Sequence, residues 1–136
     1  MKVTIQAVAD ASPERCWHAA VTPSAIRQWN TASPDWYCPS AAVDLRVGGR
    51  MESRMEARDG SMGFDFGATF TAIEAPHRLE YRLDDDRHVS LVLEAAEAGT
   101  RITQTFDAET ENDVEMQRAG WQSILDSFAR YAEAAR

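Results

Sequence analysis

The sequence of 136 residues predicts an α+β fold, in which a curved antiparallel sheet of seven strands packs around one long C-terminal helix. Three observations lead to this prediction. Between residues 43 and 107, short stretches that alternate apolar and polar residues are separated by turn sequences. Residues 113–134 have the apolar period of one helix, about 33 Å long. Pro13 and Pro23 each follow a capping residue, which predicts two short helices after the first strand.

The first strand and the two short helices are predicted over residues 3–29. The strand has one buried face, formed by Val3, Ile5, Ala7 and Ala9. Ser12-Pro13-Glu14 combines a capping residue, a first-turn proline and an acid near the positive helix end, so a helix is predicted over 13–21. Thr22-Pro23 repeats this pattern and predicts a helix to about Trp29. Residues 30–40 contain two prolines and no period, so they are predicted to be a loop.

Repeated hairpins account for the middle of the chain. The turns are Gly48-Gly49, Asp59-Gly60, Asp84-Asp85-Asp86 and Ala98-Gly99. The inward faces are predicted to carry Met51, Ser53, Met55 and Ala57; Phe64, Phe66, Ala68, Phe70 and Ala72; Leu79, Tyr81 and Leu83; Val89, Leu91 and Leu93; and Ile102, Gln104 and Phe106. Gly67 lies in mid-strand, where a glycine is typical of a bulge or bend that switches the two faces.

The last segment is predicted to be a helix that covers the sheet. Asn112 followed by Glu115 has the form of a capping box at its start. The predicted apolar stripe consists of Met116, Gly120, Ile124, Phe128 and Tyr131, with Trp121 and Leu125 beside it. A helix with one apolar stripe must bury it, and the one-sided sheet is the surface available.

Five segments occur in an order that is typical of a known family. They are Pro13-Glu14-Arg15-Cys16-Trp17, Val43-Asp44-Leu45-Arg46-Val47-Gly48-Gly49-Arg50, Glu74-Ala75-Pro76-His77-Arg78-Leu79, Gly99-Thr100-Arg101-Ile102-Thr103 and Met116-Gln117-Arg118-Ala119-Gly120-Trp121. From about Thr4 to Tyr131 the chain resembles the START-like, or birch-pollen-allergen-like, helix-grip superfamily (SRPBCC). Within it, the chain resembles the branch named for the activator of the heat-shock protein 90 ATPase. The resemblance implies a single helix-grip domain over residues 1–136, with a cavity for apolar or amphipathic small molecules between sheet and helix.

The predicted functional site is a ligand pocket beneath the long helix. Its candidate ligand-binding residues are Trp29, Trp36, Met51, Met55, Phe64, Phe66, Phe70, Met116, Gly120, Trp121 and Ile124. Methionine is flexible and polarizable, which suits a pocket that adapts to its ligand. Trp29 and Trp36 are predicted to lie near the mouth. Methionines are also ordinary core residues, and the aromatic loop could instead plug the open end of the sheet.

Gly120 interrupts the apolar stripe of the last helix. A glycine inside a helix costs about 1 kcal/mol relative to alanine. One interpretation is that an aromatic side chain such as Trp29, Phe64 or Phe66 packs closely against the helix backbone. The other is that the space is left for a ligand.

No catalytic or metal-ligating set is predicted, and no cofactor is expected. The imidazoles and thiols are scattered, and they are His18, His77, His88, Cys16 and Cys38. A metal site needs several converging ligands. Ser61 follows a hairpin glycine rather than the strand that precedes a nucleophile turn. Asp65 alternates with two phenylalanines and should face solvent, although a bulge that turned it inward would make it a candidate base.

The charge of the chain argues against two classes of partner. It has 14 Lys+Arg and 22 Asp+Glu, a formal net charge of −8. Such a chain repels phosphate backbones and anionic lipid headgroups, so neither nucleic acid nor membrane is an expected partner. The N-terminus lacks the apolar run of a signal peptide, so a cytoplasmic protein with free thiols is expected.

Three functions agree with these observations. The favoured one is a module that binds a small hydrophobic or amphipathic molecule. The second is a metal-free cavity enzyme resembling a cyclase or hydrolase, which would need two or more inward polar groups in one pocket. The third is a regulator of a chaperone ATPase, for which contact with a chaperone is implied by the resemblance alone.

Overall fold

Two short helices and one long helix pack against a seven-stranded antiparallel sheet in this computed structural model, which describes residues 1–134. This architecture confirms the predicted α+β fold class. The elements in chain order are β1 (Lys2–Ala9), α1 (Pro13–Val21), α2 (Pro23–Trp29), β2 (Trp36–Val43), β3 (Arg50–Ala57), β4 (Gly63–Glu74), β5 (Arg78–Leu83), β6 (His88–Ala96), β7 (Gly99–Asp107) and α3 (Val114–Ala134).

The sheet has the strand order β1-β7-β6-β5-β4-β3-β2 and curls into a half-barrel. Hairpins join the strands from β2 to β7, while β1 pairs with β7 from Lys2↔Asp107 to Ala9↔Thr100. The two short helices therefore connect one edge strand to the other. Because α3 contacts β1 as well as α1 and α2, all three helices lie together over one face of the sheet.

The starts of the short helices follow the sequence signals. The Ser12 hydroxyl accepts a hydrogen bond from the Arg15 N–H at 3.2 Å, which caps α1. Proline occupies the first turn of both α1 and α2. The prediction that Thr22 caps α2 is wrong, because its side chain makes no capping hydrogen bond and bonds His18 Nδ1 at 3.2 Å instead. The predicted helices over 13–21 and up to Trp29 are confirmed.

The prediction of a loop over residues 30–40 is wrong in its second half. Trp36–Val43 forms β2, which is an edge strand paired on one side with β3. Pro39 lies at a register shift between Tyr37 and Ser40. An edge strand tolerates proline there, because a bulge does not need every N–H of the ladder.

The buried face of α3 differs from the predicted stripe. Its buried residues are Gln117, Leu125, Phe128, Ala129 and Ala132. Met116 is 64% exposed, so the face is rotated by about one residue from the stripe that begins at Met116. Gln117, a polar residue, thus occupies the inward position that the apolar pattern assigned to Met116.

Gln117 is buried because it secures the segment that leads into α3. Its side-chain oxygen accepts a hydrogen bond from the Glu109 N–H at 2.8 Å, and its amide nitrogen donates to the Asn112 carbonyl at 2.8 Å. The predicted capping box does not form, because the Asn112 N–H donates to the Glu109 carboxylate at 2.6 Å. Glu115 instead pairs with Arg118.

The bulge of β4 lies after Phe70 rather than at Gly67. The register with β5 shifts between Phe70 and Ala72, so Ile73 rather than Ala72 packs against the core. Gly67 remains in register opposite Glu52. A Cβ atom at Gly67 would overlap the carboxylate of Asp84 and the guanidinium of its ion-pair partner, so the glycine leaves room for that pair on the outer face of the sheet.

The core lies between the inner face of the sheet and the helices. Its largest fully buried side chains are Phe70, Phe106, Leu79, Leu93, Ile102, Val3, Val89, Thr100 and Cys16. Cys16 and Cys38 are both buried free thiols. Within residues 1–134, no helix combines the length and the apolar character needed to cross a membrane.

Candidate functional site

A pocket of about 270 Å³ lies between the inner face of the sheet and helices α2 and α3. Most of its lining is apolar. The lining residues are Ala20, Ile26, Trp29, Asn30, Met51, Ser53, Met55, Phe64, Phe66, Leu79, Tyr81, Arg87, Leu91, Gln104, Trp121, Ile124, Leu125 and Phe128. The volume is near the lower end of the ~300–1,000 Å³ that is usual for small-molecule sites, so it would suit a small ligand.

The structure brings seven of the predicted residues together in this lining. They are Trp29, Met51, Met55, Phe64, Phe66, Trp121 and Ile124. Four others lie outside it. Trp36 packs on the Phe64 ring with the centroids 5.8 Å apart, and Phe70 is buried in the core with its ring edge-on to Tyr81. Met116 is exposed to solvent.

Gly120 is the fourth predicted residue outside the lining. Apart from the adjoining residues and the backbone of α3 itself, a Cβ atom built there would have no heavy atom within 4 Å. The interpretation that an aromatic ring packs closely against this backbone is therefore wrong. Gly120 lies beside open space on α3, one turn before Ile124, which lines the pocket.

Aromatic contacts fix the helices that form the roof of the pocket. The Trp29 indole N–H donates to the Ala19 carbonyl at 2.8 Å, and its ring meets Phe128 of α3 edge-on at 5.1 Å between centroids. Trp121 stacks on Phe106 of β7 at 4.2 Å with an interplanar angle of 7°. Both tryptophans also line the pocket, so a ligand there would contact rings whose positions are set by the fold.

The pocket is open where Phe64 lies. This side chain is 50% exposed although it also lines the pocket, and Trp36 on β2 packs against it. Phe64 and the part-buried Trp36 thus form an aromatic pair beside the apolar pocket, which is the expected form of an entrance. Of the two tryptophans predicted near the mouth, Trp36 is a neighbour of the lining rather than part of it. Trp29 belongs to the lining and packs against Phe128 of α3.

A neutral polar pair lies on one wall. The Asn30 side-chain amide donates to the Ser53 hydroxyl at 3.2 Å and lies 3.5 Å from the Met55 sulfur. Ser53 is a buried residue on the inward face of β3, between Met51 and Met55. Because the amide and the hydroxyl bond each other, this wall can be polar without leaving either group unsatisfied.

A second polar pair consists of Tyr81 on β5 and Gln104 on β7. Burial raises the pKa of Tyr81 to about 12, and a hydrogen bond to Gln104 acts in the opposite direction. The phenol is therefore neutral at physiological pH. It can donate one hydrogen bond and accept another, but it does not supply charge.

Arg87 provides the charge in the lining. It follows the turn between β5 and β6, and its side chain is the one ionised group among the lining residues described. The Arg87 Nε donates to Asp85 Oδ2 at 2.8 Å, and its backbone N–H donates to Asp85 Oδ1 at 3.2 Å. The guanidinium is therefore held in a defined orientation.

The titratable groups considered as catalysts lie elsewhere. The Asp65 carboxylate is 83% exposed and pairs with Arg54, and His88 is exposed to solvent. Burial raises the pKa of both thiols, and the Cys38 sulfur donates to the Ser40 carbonyl rather than contacting an imidazole. Over residues 1–134, no group of three or more His, Cys, Asp or Glu side chains has an arrangement that could hold a metal ion.

A larger, more polar hollow of about 360 Å³ lies on the outer face of the sheet. Its charged residues belong to ion pairs, which include Arg50 with Asp84 at 2.8 Å and Arg54 with Asp65 at 3.3 Å. Since these charges compensate one another in solvent, the hollow has no group set aside for a ligand.

Sequence reasoning missed the polar members of the pocket. Ser53 and Gln104 did carry a signal, because each occupies an inward position between apolar residues of a strand. Asn30 was assigned to a loop, and Arg87 follows a turn. Side-chain directions in loops and turns do not follow a hydrophobic period, so the pattern contained no signal for either residue. Their place in the pocket depends on the packing of distant segments.

Residues 10–133 match the model of the family described as Activator of Hsp90 ATPase homolog 1-like protein. A search of curated proteins found no match.

Solved structures are similar over nearly the whole chain. An AHSA1-like protein from Aeromonas hydrophila is 48% identical, with 99% of this chain and 94% of that chain covered and a TM-score of 0.94. A protein from Cytophaga hutchinsonii is 38% identical, with 98% and 93% covered and a TM-score of 0.83. A protein from Nitrosomonas europaea, 17% identical with 100% and 96% covered, shares the fold at a TM-score of 0.86.

Proposed function

Because this chain belongs to the family of Activator of Hsp90 ATPase homolog 1-like proteins, whose fold is compatible with ligand binding, we propose that it binds a small hydrophobic or amphipathic molecule. The site is the pocket of about 270 Å³ between the sheet and α3. This pocket is the single observation that supports the proposal most strongly.

The character of the lining supports an apolar ligand. Methionine and aromatic side chains from β3, β4, α2 and α3 face the same space. Transfer of apolar surface from water into such a pocket is favourable by roughly 25 cal/mol per Å². Met51 and Met55 can change rotamer at low cost, so the wall can adjust to ligands of different shape.

The chemistry of the lining favours binding over catalysis. A catalyst needs a nucleophile or base in contact with an orienting partner. The polar pairs Asn30–Ser53 and Tyr81–Gln104 are neutral, and Asp65 and His88 lie on the outside. These pairs can orient a ligand by hydrogen bonds.

Regulation of a chaperone ATPase draws support from the family description alone. Stimulation of the ATPase of heat-shock protein 90 by this chain would move that function ahead of ligand binding. The pocket would then need no occupant for activity.

The experiment is a titration of the protein with 1-octanol, followed by tryptophan fluorescence, since Trp29 and Trp121 line the pocket. Ile124→Phe places extra volume in the lining, and Ala119→Phe adds the same ring at an exposed position of the same helix. We expect saturable binding that Ile124→Phe weakens at least about tenfold and Ala119→Phe leaves within about twofold. An absence of binding, or equal affinities for the two variants, would contradict the proposal.

A further inference from the structure

We propose that the preferred ligand is an amphiphile with a carboxylate at its polar end, and that Arg87 binds this carboxylate. This inference rests on the proposed function, because it names the class of molecule that the same pocket takes. It also assigns a specificity-determining role to a residue in a turn.

The first argument is the position of the charge. Arg87 contributes the only ionised side chain of the described lining, and the rest of that lining is neutral. Its side chain is 26% exposed and the residue also lines the pocket, so Arg87 borders both the pocket and solvent. A carboxylate bound there could keep partial hydration while its apolar chain occupied the pocket.

The second argument is the hydrogen-bonding capacity of the guanidinium. A guanidinium has five N–H donors, and the Nε donor of Arg87 is taken by Asp85 at 2.8 Å. In residues 1–134, the structure shows no hydrogen bond from the two terminal nitrogens of Arg87 to a protein group. The edge formed by those nitrogens matches the two oxygens of a carboxylate, which arginine binds in a bidentate manner.

The third argument is that the other polar groups of the lining are neutral. Asn30 donates to Ser53 at 3.2 Å, and Tyr81 and Gln104 carry no charge at physiological pH. A charged end would gain less from these neutral pairs than from a guanidinium, because charge-assisted hydrogen bonds are the stronger ones.

The net charge of −8 does not oppose this local interaction. Charges that lie more than a Debye length of about 8 Å apart are largely screened at physiological ionic strength. In the same turn as Arg87, Asp84 is bound to Arg50 and Asp86 pairs with Arg82. Asp107, which accepts a hydrogen bond from the His88 N–H, pairs with Lys2. Asp85 remains as the counter-charge that orients Arg87.

The test compares octanoate with 1-octanol, which share a chain and differ at the polar end. The variants are Arg87→Gln and a matched control, Arg82→Gln, which removes the same charge beside the same turn from an exposed residue outside the lining. We expect Arg87→Gln to weaken the binding of octanoate at least about tenfold more than it weakens the binding of 1-octanol. Arg82→Gln should leave both affinities within about twofold.

The two proposals fail in different ways. If 1-octanol binds the wild-type protein but Arg87→Gln leaves octanoate unchanged, the role of Arg87 is overturned and the binding function stands. Equal weakening of both probes by Arg87→Gln also overturns that role, because the effect would not depend on the carboxylate. If neither probe binds the wild-type protein, both proposals fail.

Discussion

The Trp29 indole N–H donates to the Ala19 carbonyl, which lies four residues before Pro23. In a continuous helix that carbonyl would accept from residue 23, but proline has no N–H to donate. Trp29 therefore supplies the donor that Pro23 lacks, and its ring reaches Phe128 of α3 at the same time. The Trp29 side chain therefore links the junction between α1 and α2 to α3, which forms part of the roof of the pocket.

Replacement of Trp29 by Phe should destabilise the fold. The aromatic ring is kept, but the Ala19 carbonyl loses its donor, which we expect to cost about 1–3 kcal/mol of the free energy of unfolding. Urea denaturation measures this difference. Trp36→Phe is the matched control, since Trp36 is part-buried on an edge strand, and it should change stability by less than about 1 kcal/mol. Equal losses in both variants would contradict the role given to the indole N–H.

Gly120→Ala should stabilise the protein. The added Cβ meets no heavy atom within 4 Å beyond the adjoining residues and the backbone of its own helix, so the change brings the helix propensity of alanine at no steric cost. We expect the free energy of unfolding to rise by roughly 0.5–1 kcal/mol. A loss of stability would show that the space beside Gly120 is filled.

Gly99→Ala should have the opposite effect. Gly99 has φ +130°, and a Cβ there would overlap the Ala9 carbonyl and lie 2.8 Å from the Ala11 nitrogen. Both neighbours are backbone atoms, Ala9 at the end of β1 and Ala11 in the segment between β1 and α1, so they cannot move aside freely. We expect a loss of more than about 1 kcal/mol in thermal or urea denaturation. A neutral result would contradict this backbone geometry.

Tyr81 should ionise with a pKa of about 12, because burial disfavours the phenolate. Since this exceeds the ordinary value of about 10, the contribution of Tyr81 to stability is fully present below pH ~10 and is lost as the pH rises through the folded pKa. Ultraviolet titration of tyrosinate in wild type and in Tyr81→Phe isolates this step. If the titration step that Tyr81→Phe removes lies near the ordinary tyrosine pKa of about 10, the burial of the phenol is contradicted.

Arg50→Gln should raise the pKa of Asp84. The Arg50 guanidinium donates two hydrogen bonds to the Asp84 carboxylate, at 2.8 and 2.9 Å, and this holds the Asp84 pKa below its ordinary value. The stabilisation is present above the unfolded pKa of about 4 and is lost as the pH falls through the folded value. NMR titration of the carboxyl carbons measures it. Arg54→Gln is the matched control. Arg54 pairs with Glu56 and Asp65, so its replacement should leave the pKa of Asp84 unchanged.

Local signals explain why most of the fold could be predicted from the sequence. Ser12 with Pro13 fixes the start of α1 within one turn, and glycine-containing turns separate most of the strands. β2 was missed because an edge strand has one partner only and tolerates Pro39 at a bulge. A strand with this irregular pairing at the edge of the sheet does not need alternating apolar and polar residues, and β2 does not show that alternation.

The candidate site could be predicted only in part, because its polar residues depend on tertiary contacts. The α3 stripe was misplaced since Gln117 is buried by its hydrogen bonds to residues 109 and 112, while apolar Met116 faces solvent. Arg87 enters the lining from a turn, and its orientation is set by Asp85. Hydrophobic periodicity contains no information on such contacts.

The most direct test of the binding function is NMR chemical-shift mapping of the labelled protein during titration with 1-octanol. We expect saturable shifts of the Trp29 and Trp121 indole N–H signals and of the Asn30 and Ser53 amides, all of which belong to residues of the pocket lining. Shifts confined to the outer-face hollow around Arg50, or no saturable shifts at all, would contradict the proposal that this protein binds a small apolar or amphipathic molecule between its sheet and its C-terminal helix.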